Sequence, residues 1–79
     1  MIPIIDLLNK IKWDKKEKPE DYEIIYFDRI LGKQMTIPYT KIQSLEDPFI
    51  VLRDKAGETR IPLHRIKEVK KKDKSIWKR

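Results

Sequence analysis

The chain has 79 residues, 41% of them charged and 39% apolar, with a net charge of +6. A chain this short buries only about 60% of the surface its unfolded form exposes, so it holds one small core. It has no cysteine and a single histidine, His64, which excludes disulfides, thiolate zinc centres, cysteine nucleophiles and any site needing two imidazoles.

Residues 3–12 read as a helix. Pro3 suits a helix start, where its missing N–H costs nothing. Ile4, Leu7, Leu8 and Ile11 recur at helical spacing and make one apolar stripe. Trp13 lies one step beyond that stripe and reads as core, and Asp14 closes the helix. Lys15 to Asp21 is a charged loop containing Pro19.

The period then changes. Tyr22 to Arg29 is rich in aromatic and β-branched residues and reads as a strand. Both of its faces are apolar at the centre, which predicts a central strand covered on both sides, with Tyr26 and Phe27 in the core. Leu31-Gly32-Lys33 turns the chain, and Gln34 to Ile37 returns as a second strand stopped by Pro38. Phe49 to Arg53 and Glu58 to Ile61 are the next pair, Phe49 reading as core. They are joined at Asp54-Lys55-Ala56-Gly57, where Gly57 is free to take positive φ. Lys67 to Lys70 and Ser75 to Lys78 form the last pair.

Ile37-Pro38-Tyr39-Thr40-Lys41-Ile42 is echoed by Ile61-Pro62-Leu63-His64-Arg65-Ile66. In each copy the proline removes an N–H donor and ends strand pairing. The chain then turns, and the second isoleucine re-enters the core. Two similar hairpin-plus-corner units within residues 22–79 are therefore expected. Strands that turn corners in this way build curled sheets. The expectation is a single domain over residues 1–79 of the α+β class. Its N-terminal helix would pack on a small, curled antiparallel sheet, or partly open barrel, of about five to six strands.

The charge is unevenly placed. Residues 60–79 hold nine bases against Glu68 and Asp73, and the first 59 residues hold ten bases and eleven acids. A near-neutral body with a basic C-terminal segment is the footprint of a polyanion partner, since Lys and Arg displace counterions from phosphates. A solvated lysine-rich face is the plain alternative. Val69, Ile76 and Trp77 interleave with the bases, which predicts a folded hairpin rather than a loose tail. No apolar run approaches the ~20 residues of a membrane span. Met1-Ile2-Pro3 lacks the basic start of a secretory signal, so a cytoplasmic protein is expected.

His64-Arg65 is the sharpest chemical candidate. Imidazole and guanidinium together match phosphate oxygens, and Arg grips two oxygens at once. The alternative is a corner in which His64 satisfies a backbone carbonyl and Arg65 pairs with an acid. At Asp28-Arg29, Arg29 adds a second phosphate contact, or the two make a surface ion pair. Trp77 either packs the terminus down or offers a stacking surface to a nucleobase. Lys70 and Lys72 on the closing hairpin would hold an upstream backbone. No glycine-rich phosphate loop, metal-ligand cluster or nucleophile motif is present, so no cofactor and no metal are expected. His64 as an acid or base has no convincing second partner for phosphodiester cleavage.

The run Met1-Ile2-Pro3-Ile4-Ile5-Asp6-Leu7-Leu8-Asn9-Lys10-Ile11-Lys12-Trp13-Asp14 carries a resemblance, together with Tyr26-Phe27-Asp28-Arg29, Ile61-Pro62-Leu63-His64-Arg65-Ile66 and Trp77-Lys78-Arg79. With these blocks in order, the whole chain resembles the archaeal RNA cyclic group end recognition domain family. The resemblance implies a non-catalytic module that binds the single-stranded end of an RNA bearing a 2′,3′-cyclic phosphate, partnered by an RNA-processing enzyme. Carried onto this chain, the motif positions are Asp28, Arg29, His64, Arg65, Trp77 and Arg79. This sequence departs from the family at its last turn, where Lys72-Asp73-Lys74-Ser75 stands in place of an Asp-Gly type turn. Three competing readings stay open. One is a general nucleic-acid or ribosome-associated binder. The second is a small enzyme acting on the cyclic phosphate through His64. The third is a structural adaptor. Self-association through an exposed sheet edge is a further expectation.

Overall fold

The computed structural model describes residues 2–55 and 57–79; Ala56 of the expected Asp54–Gly57 turn, and Met1, lie outside them. Helix α1 spans Ile4–Trp13, with Pro3 as its cap rather than its first residue. The Pro3 carbonyl accepts N–H bonds from Asp6 at 3.1 Å and Leu7 at 3.3 Å, and so closes the first turn. Ile4, Leu7, Leu8 and Ile11 are buried as the spacing predicted. Trp13 is not core: it is 73% exposed. It follows Ile11 by two residues, about 200° around the helix, so its side chain leaves the stripe's face.

Seven strands follow among the described residues: β1 Tyr22–Asp28, β2 Lys33–Pro38, β3 Ile42–Glu46, β4 Phe49–Asp54, β5 Gly57–Pro62, β6 Ile66–Lys71 and β7 Lys74–Lys78. They form two antiparallel sheets that do not close, ordered β2-β1-β6-β7 and β3-β4-β5. The class is α+β with curled sheets, as expected, but with one strand more than the five to six foreseen. The extra strand is β3. Leu52 faces Ile42 and Val51 faces Ser44, so Gln43 is a bulge that breaks the two-residue alternation a strand shows in sequence.

The two Ile-Pro segments both become one-turn 3-10 corners, at Tyr39–Lys41 and Leu63–Arg65. Each corner carries the chain from one sheet to the other: β2 to β3 in the first, β5 to β6 in the second. The likeness extends to register. Glu23, Ile24, Ile25 and Tyr26 face Pro38, Ile37, Thr36 and Met35. Phe49, Ile50, Val51 and Leu52 face Pro62, Ile61, Arg60 and Thr59 in the same way. The bulges match too. Tyr26 faces Ile66 and Ile25 faces Glu68, leaving Lys67 as the extra residue where the other half has Gln43. Exchanging β1, β2, β3 for β4, β5, β6 thus maps one three-strand set onto the other, and β7 stands outside the pattern.

One core lies between the sheets and under α1. Leu8, Ile24, Ile50, Ile66 and Val69 are fully buried there, and each such side chain contributes about 1.5–3 kcal/mol relative to exposure. The Tyr39 hydroxyl donates to the Leu8 carbonyl at 2.8 Å and ties the first corner to the helix. The covering of β1 is uneven. Ile25 is buried but Phe27 is 37% exposed, and Phe49 is equally open, so neither phenylalanine is the core residue the sequence suggested. No helix among the described residues is long and apolar enough to cross a membrane.

Candidate functional site

The basic C-terminal segment is a hairpin, and two of its lysines pair with acids of the loop before β1. Lys71 Nζ lies 3.2 Å from a Glu17 carboxylate oxygen, which also accepts a short hydrogen bond from the Tyr22 hydroxyl. The Tyr22 hydroxyl bond, then Lys71, holds the Glu17 carboxyl below its usual range. Burial, and then Glu17, pushes the Tyr22 hydroxyl up. Lys72 donates its N–H to the Asp21 carbonyl at 3.0 Å and its ammonium stands 4.0 Å from the Asp21 carboxylate. Lys70 sits between Glu23 and Ser75 in the ladder. The hairpin therefore ties down the charged loop that precedes β1.

The chain end is also built in. Trp77 is 6% exposed, and its indole N–H donates to the Ile2 carbonyl at 2.9 Å. Of the two sequence readings of Trp77, the geometry matches packing and leaves the ring no open face for a base. The Arg79 guanidinium lies 5.1 Å above that ring. Its Nε donates to the Ile66 carbonyl at 2.9 Å and its Nη2 to the Leu63 carbonyl at 3.1 Å. Both acceptors flank His64-Arg65. Arg79 thus clamps the second corner, adding a side-chain donor to the Leu63 carbonyl, which also accepts the Ile66 N–H, and to the Ile66 carbonyl at the start of β6.

A concavity lies elsewhere, where the end of β1 meets the β5 edge. It is an open cleft of about 150 Å³ lined by Tyr26, Phe27, Asp28, Arg29, Ile30, Thr59, Arg60, Ile61 and Arg65. Three segments supply its arginines: the β1–β2 loop gives Arg29, β5 gives Arg60 and the second corner gives half-buried Arg65. The two ion pairs found among the described residues are those of Lys71 and Lys72, so neither uses a cleft arginine. Arginine is the side chain whose planar fork matches the oxygens of a phosphate, and three of them line this one opening.

Asp28 has a different task from an ion pair. Its Oδ1 accepts N–H bonds from Ile30 at 2.9 Å and Leu31 at 3.0 Å, and its carbonyl accepts the Gly32 N–H at 2.8 Å. Gly32 takes φ of +67°, which glycine does without the Cβ clash of other residues. This local turn shapes the loop that carries Arg29 and Ile30. Burial, and then the Asp28 charge, raises the Tyr26 hydroxyl above its ordinary range.

Of the residues singled out in sequence, Asp28, Arg29 and Arg65 come together in the cleft. His64 is exposed on the corner and is not among the lining residues; Trp77 and Arg79 lie behind the corner; Lys70 and Lys72 lie on the hairpin. Sequence reasoning missed Arg60, Thr59 and the apolar rim of Phe27 and Ile30. One signal was present for Arg60: extending the Ile-Pro repeat back by one residue sets Arg60 against Thr36. Among the described residues no group of His, Cys, Asp and Glu stands ready to hold a metal.

With this geometry in view, comparison with known proteins gives a consistent answer. A family model described as the MJ1316 RNA cyclic group end recognition domain matches residues 1–79. The chain belongs to that family. Its relatives include a UPF0248 protein of Saccharolobus solfataricus, 37% identical over 96% of this chain and 95% of the relative. A UPF0248 protein of Metallosphaera sedula is 36% identical over 96% of this chain and 91% of its own. One of Saccharolobus islandicus is 34% identical, covering 96% and 98%. The names of these archaeal relatives state no activity. No solved structure matches this chain.

Proposed function

We propose that the cleft receives the end of a single-stranded RNA, binds its terminal 2′,3′-cyclic phosphate through guanidinium groups, and acts as a recognition module rather than a catalyst. The observation that carries this reading is the convergence of Arg29, Arg60 and Arg65 on one open cleft. It agrees with the name of the family. Arg65 is the central donor, because the corner and the Arg79 clamp fix its backbone from both sides. The exposed lysines of the hairpin add sequence-independent attraction for the upstream chain. His64 stands beside the cleft as a second donor to the backbone of the same end. An RNA-end-processing enzyme is the partner that such a module would serve.

The selection has a physical basis. A cyclic phosphate is a compact monoanion fused to the ribose, a terminal 3′-phosphate carries about −1.5 to −2 charges near neutrality, and a 3′-hydroxyl carries none. The test is the affinity of one short RNA prepared with each of these three ends. Preference for the cyclic end, lost in Arg65→Ala, is the expected result. Equal affinity for all three would leave general RNA binding. Turnover of the cyclic end that disappears in His64→Ala would replace recognition with catalysis.

A further inference from the structure

The cleft that the three arginines line also has an apolar part, Phe27 and Ile30, and end recognition by phosphate alone leaves that part without a use. Ile30 is 96% exposed and its neighbour Leu31 is 56% exposed. Single exposed aliphatics are common on protein surfaces. These two differ in being held: the Asp28 carboxylate takes the N–H of each, so the loop presents them in a set conformation. Phe27, 37% exposed, lines the same cleft as Ile30 and the three arginines.

We infer that Phe27 and Ile30 form a subsite for the last nucleobase, beside the phosphate-binding arginines, with Asp28 as the residue that positions Ile30. The inference rests on the reading of the cleft as an RNA-end site and adds the part of the ligand that the rim contacts. Its chemistry follows from the ligand. In a 2′,3′-cyclic end the phosphate is fused to the ribose, and the base leaves the same sugar. A phosphate seated against Arg60 and Arg65 therefore carries its base to the edge of the cleft, within one sugar's width. An aromatic ring, and an aliphatic side chain on a backbone held by Asp28, offer that base an apolar contact. Every base has such a face, so contact of this kind is tolerant of sequence. Neither tryptophan is among the cleft-lining residues, and Trp77 is sealed by its bond to the chain start.

The experiment uses one short RNA with a 2′,3′-cyclic phosphate end, whose last nucleotide either keeps its base or is abasic, and a 3′-hydroxyl version as control. Loss of the base is expected to weaken binding about tenfold, by a similar factor for all four bases. Ile30→Ala changes a fully exposed side chain, so folding is preserved. It should weaken the base-bearing RNA several-fold and leave the abasic one unchanged. Asp28→Asn keeps an oxygen acceptor for the loop and should behave as the wild type, whereas Asp28→Ala should match Ile30→Ala. Equal affinity for base-bearing and abasic ends overturns the subsite while a cyclic-over-hydroxyl preference keeps the cleft reading intact. Loss of that preference in the wild type overturns the cleft reading itself. A strong preference for one base overturns a contact based on ring faces, and failure of Asp28→Asn overturns the positioning role.

Discussion

At matched positions the first half of the barrel-like body carries Tyr26, Thr36, Tyr39, Thr40, Lys41 and Gln43. The second carries Leu52, Arg60, Leu63, His64, Arg65 and Lys67. Their inward isoleucines agree: Ile24 with Ile50, Ile37 with Ile61, Ile42 with Ile66. The halves share these isoleucines and differ both at buried positions, Tyr39 against Leu63, and at exposed ones, Thr40 against His64. A further difference is loop length. Arg29–Gly32 separates β1 from β2, whereas only Lys55 and Ala56 separate β4 from β5. The cleft draws Arg29 and Ile30 from the long loop of one half, and Arg60 and Arg65 from the other. Neither half alone contains it. A repeated frame thus frames a single asymmetric cleft.

The first way to probe this comparison is through the shared core. Ile24→Ala and Ile50→Ala remove fully buried matched side chains, and each should cost about 2–5 kcal/mol in denaturant unfolding. Costs that differ widely would show that one half dominates the fold. The next concerns the outward positions. Arg65→Ala should reduce affinity for a cyclic-phosphate end by more than about tenfold, as expected for a charge-assisted hydrogen bond. Lys41→Ala, at the matched place in the first corner, should leave end preference untouched. Equal losses from the two would reduce binding to general electrostatics.

A smaller effect separates the halves by pH. The first half places Tyr26 and Tyr39 where the second has Leu52 and Leu63. Burial raises both tyrosine hydroxyls above their usual value of 10.0. A raised value in the folded state means that the unfolded chain loses its protons first. The associated stability is whole below pH 10 and falls as pH rises beyond it. Tyr39→Phe removes this titration and one hydrogen bond worth about 1 kcal/mol. Its melting temperature should start lower than the wild type's at neutral pH and fall less steeply above pH 10. A parallel fall would assign the alkaline loss elsewhere.

The smallest effect belongs to the element outside the repeat. The β6–β7 hairpin turns through Lys72 and Asp73, with φ of +49° and +67°. Two-residue hairpin loops favour such angles because they match strand twist, but non-glycine residues adopt them at a cost of about 1–2 kcal/mol. Lys72→Gly keeps the N–H that bonds the Asp21 carbonyl and gives up only a long ion pair. A gain of up to about 1 kcal/mol, read as a rise in melting temperature, is expected. A loss would mean that the Lys72 ammonium holds the Asp21 loop more firmly than its 4.0 Å spacing implies. The turn that departs from the family pattern is therefore a strained hairpin rather than a broken one.

Local rules made the helix and most strands legible. The apolar stripe from Ile4 to Ile11, the prolines after Ile37 and Ile61, and Gly32 and Gly57 at positive φ all act within a few residues. Strand β3 escaped because the bulge at Gln43 shifts Leu45 out of alternation. Trp13 and Phe49 were misread because aromatic character suggests burial, whereas the helix angle turns Trp13 outward and Phe49, on the same strand face as buried Val51, stands half open at the first position of β4.

The site was legible only in fragments. The family resemblance and local chemistry marked Asp28, Arg29 and Arg65, but Arg60 looked like one base among many in a charged segment. By itself the sequence determined the class of fold, the repeated corner and the excess of cations, because propensity, proline and composition are properties of neighbouring residues. Only the tertiary structure decided which cations meet. Charge count cannot tell Lys71, tied to Glu17, from Arg65, open in a cleft. That distinction depends on two sheets crossing at a corner, and contacts between segments distant in the chain are written in no local pattern. Within the +6 with which the chain presents itself, the fold sets apart two lysines that hold the hairpin and three arginines that line the opening.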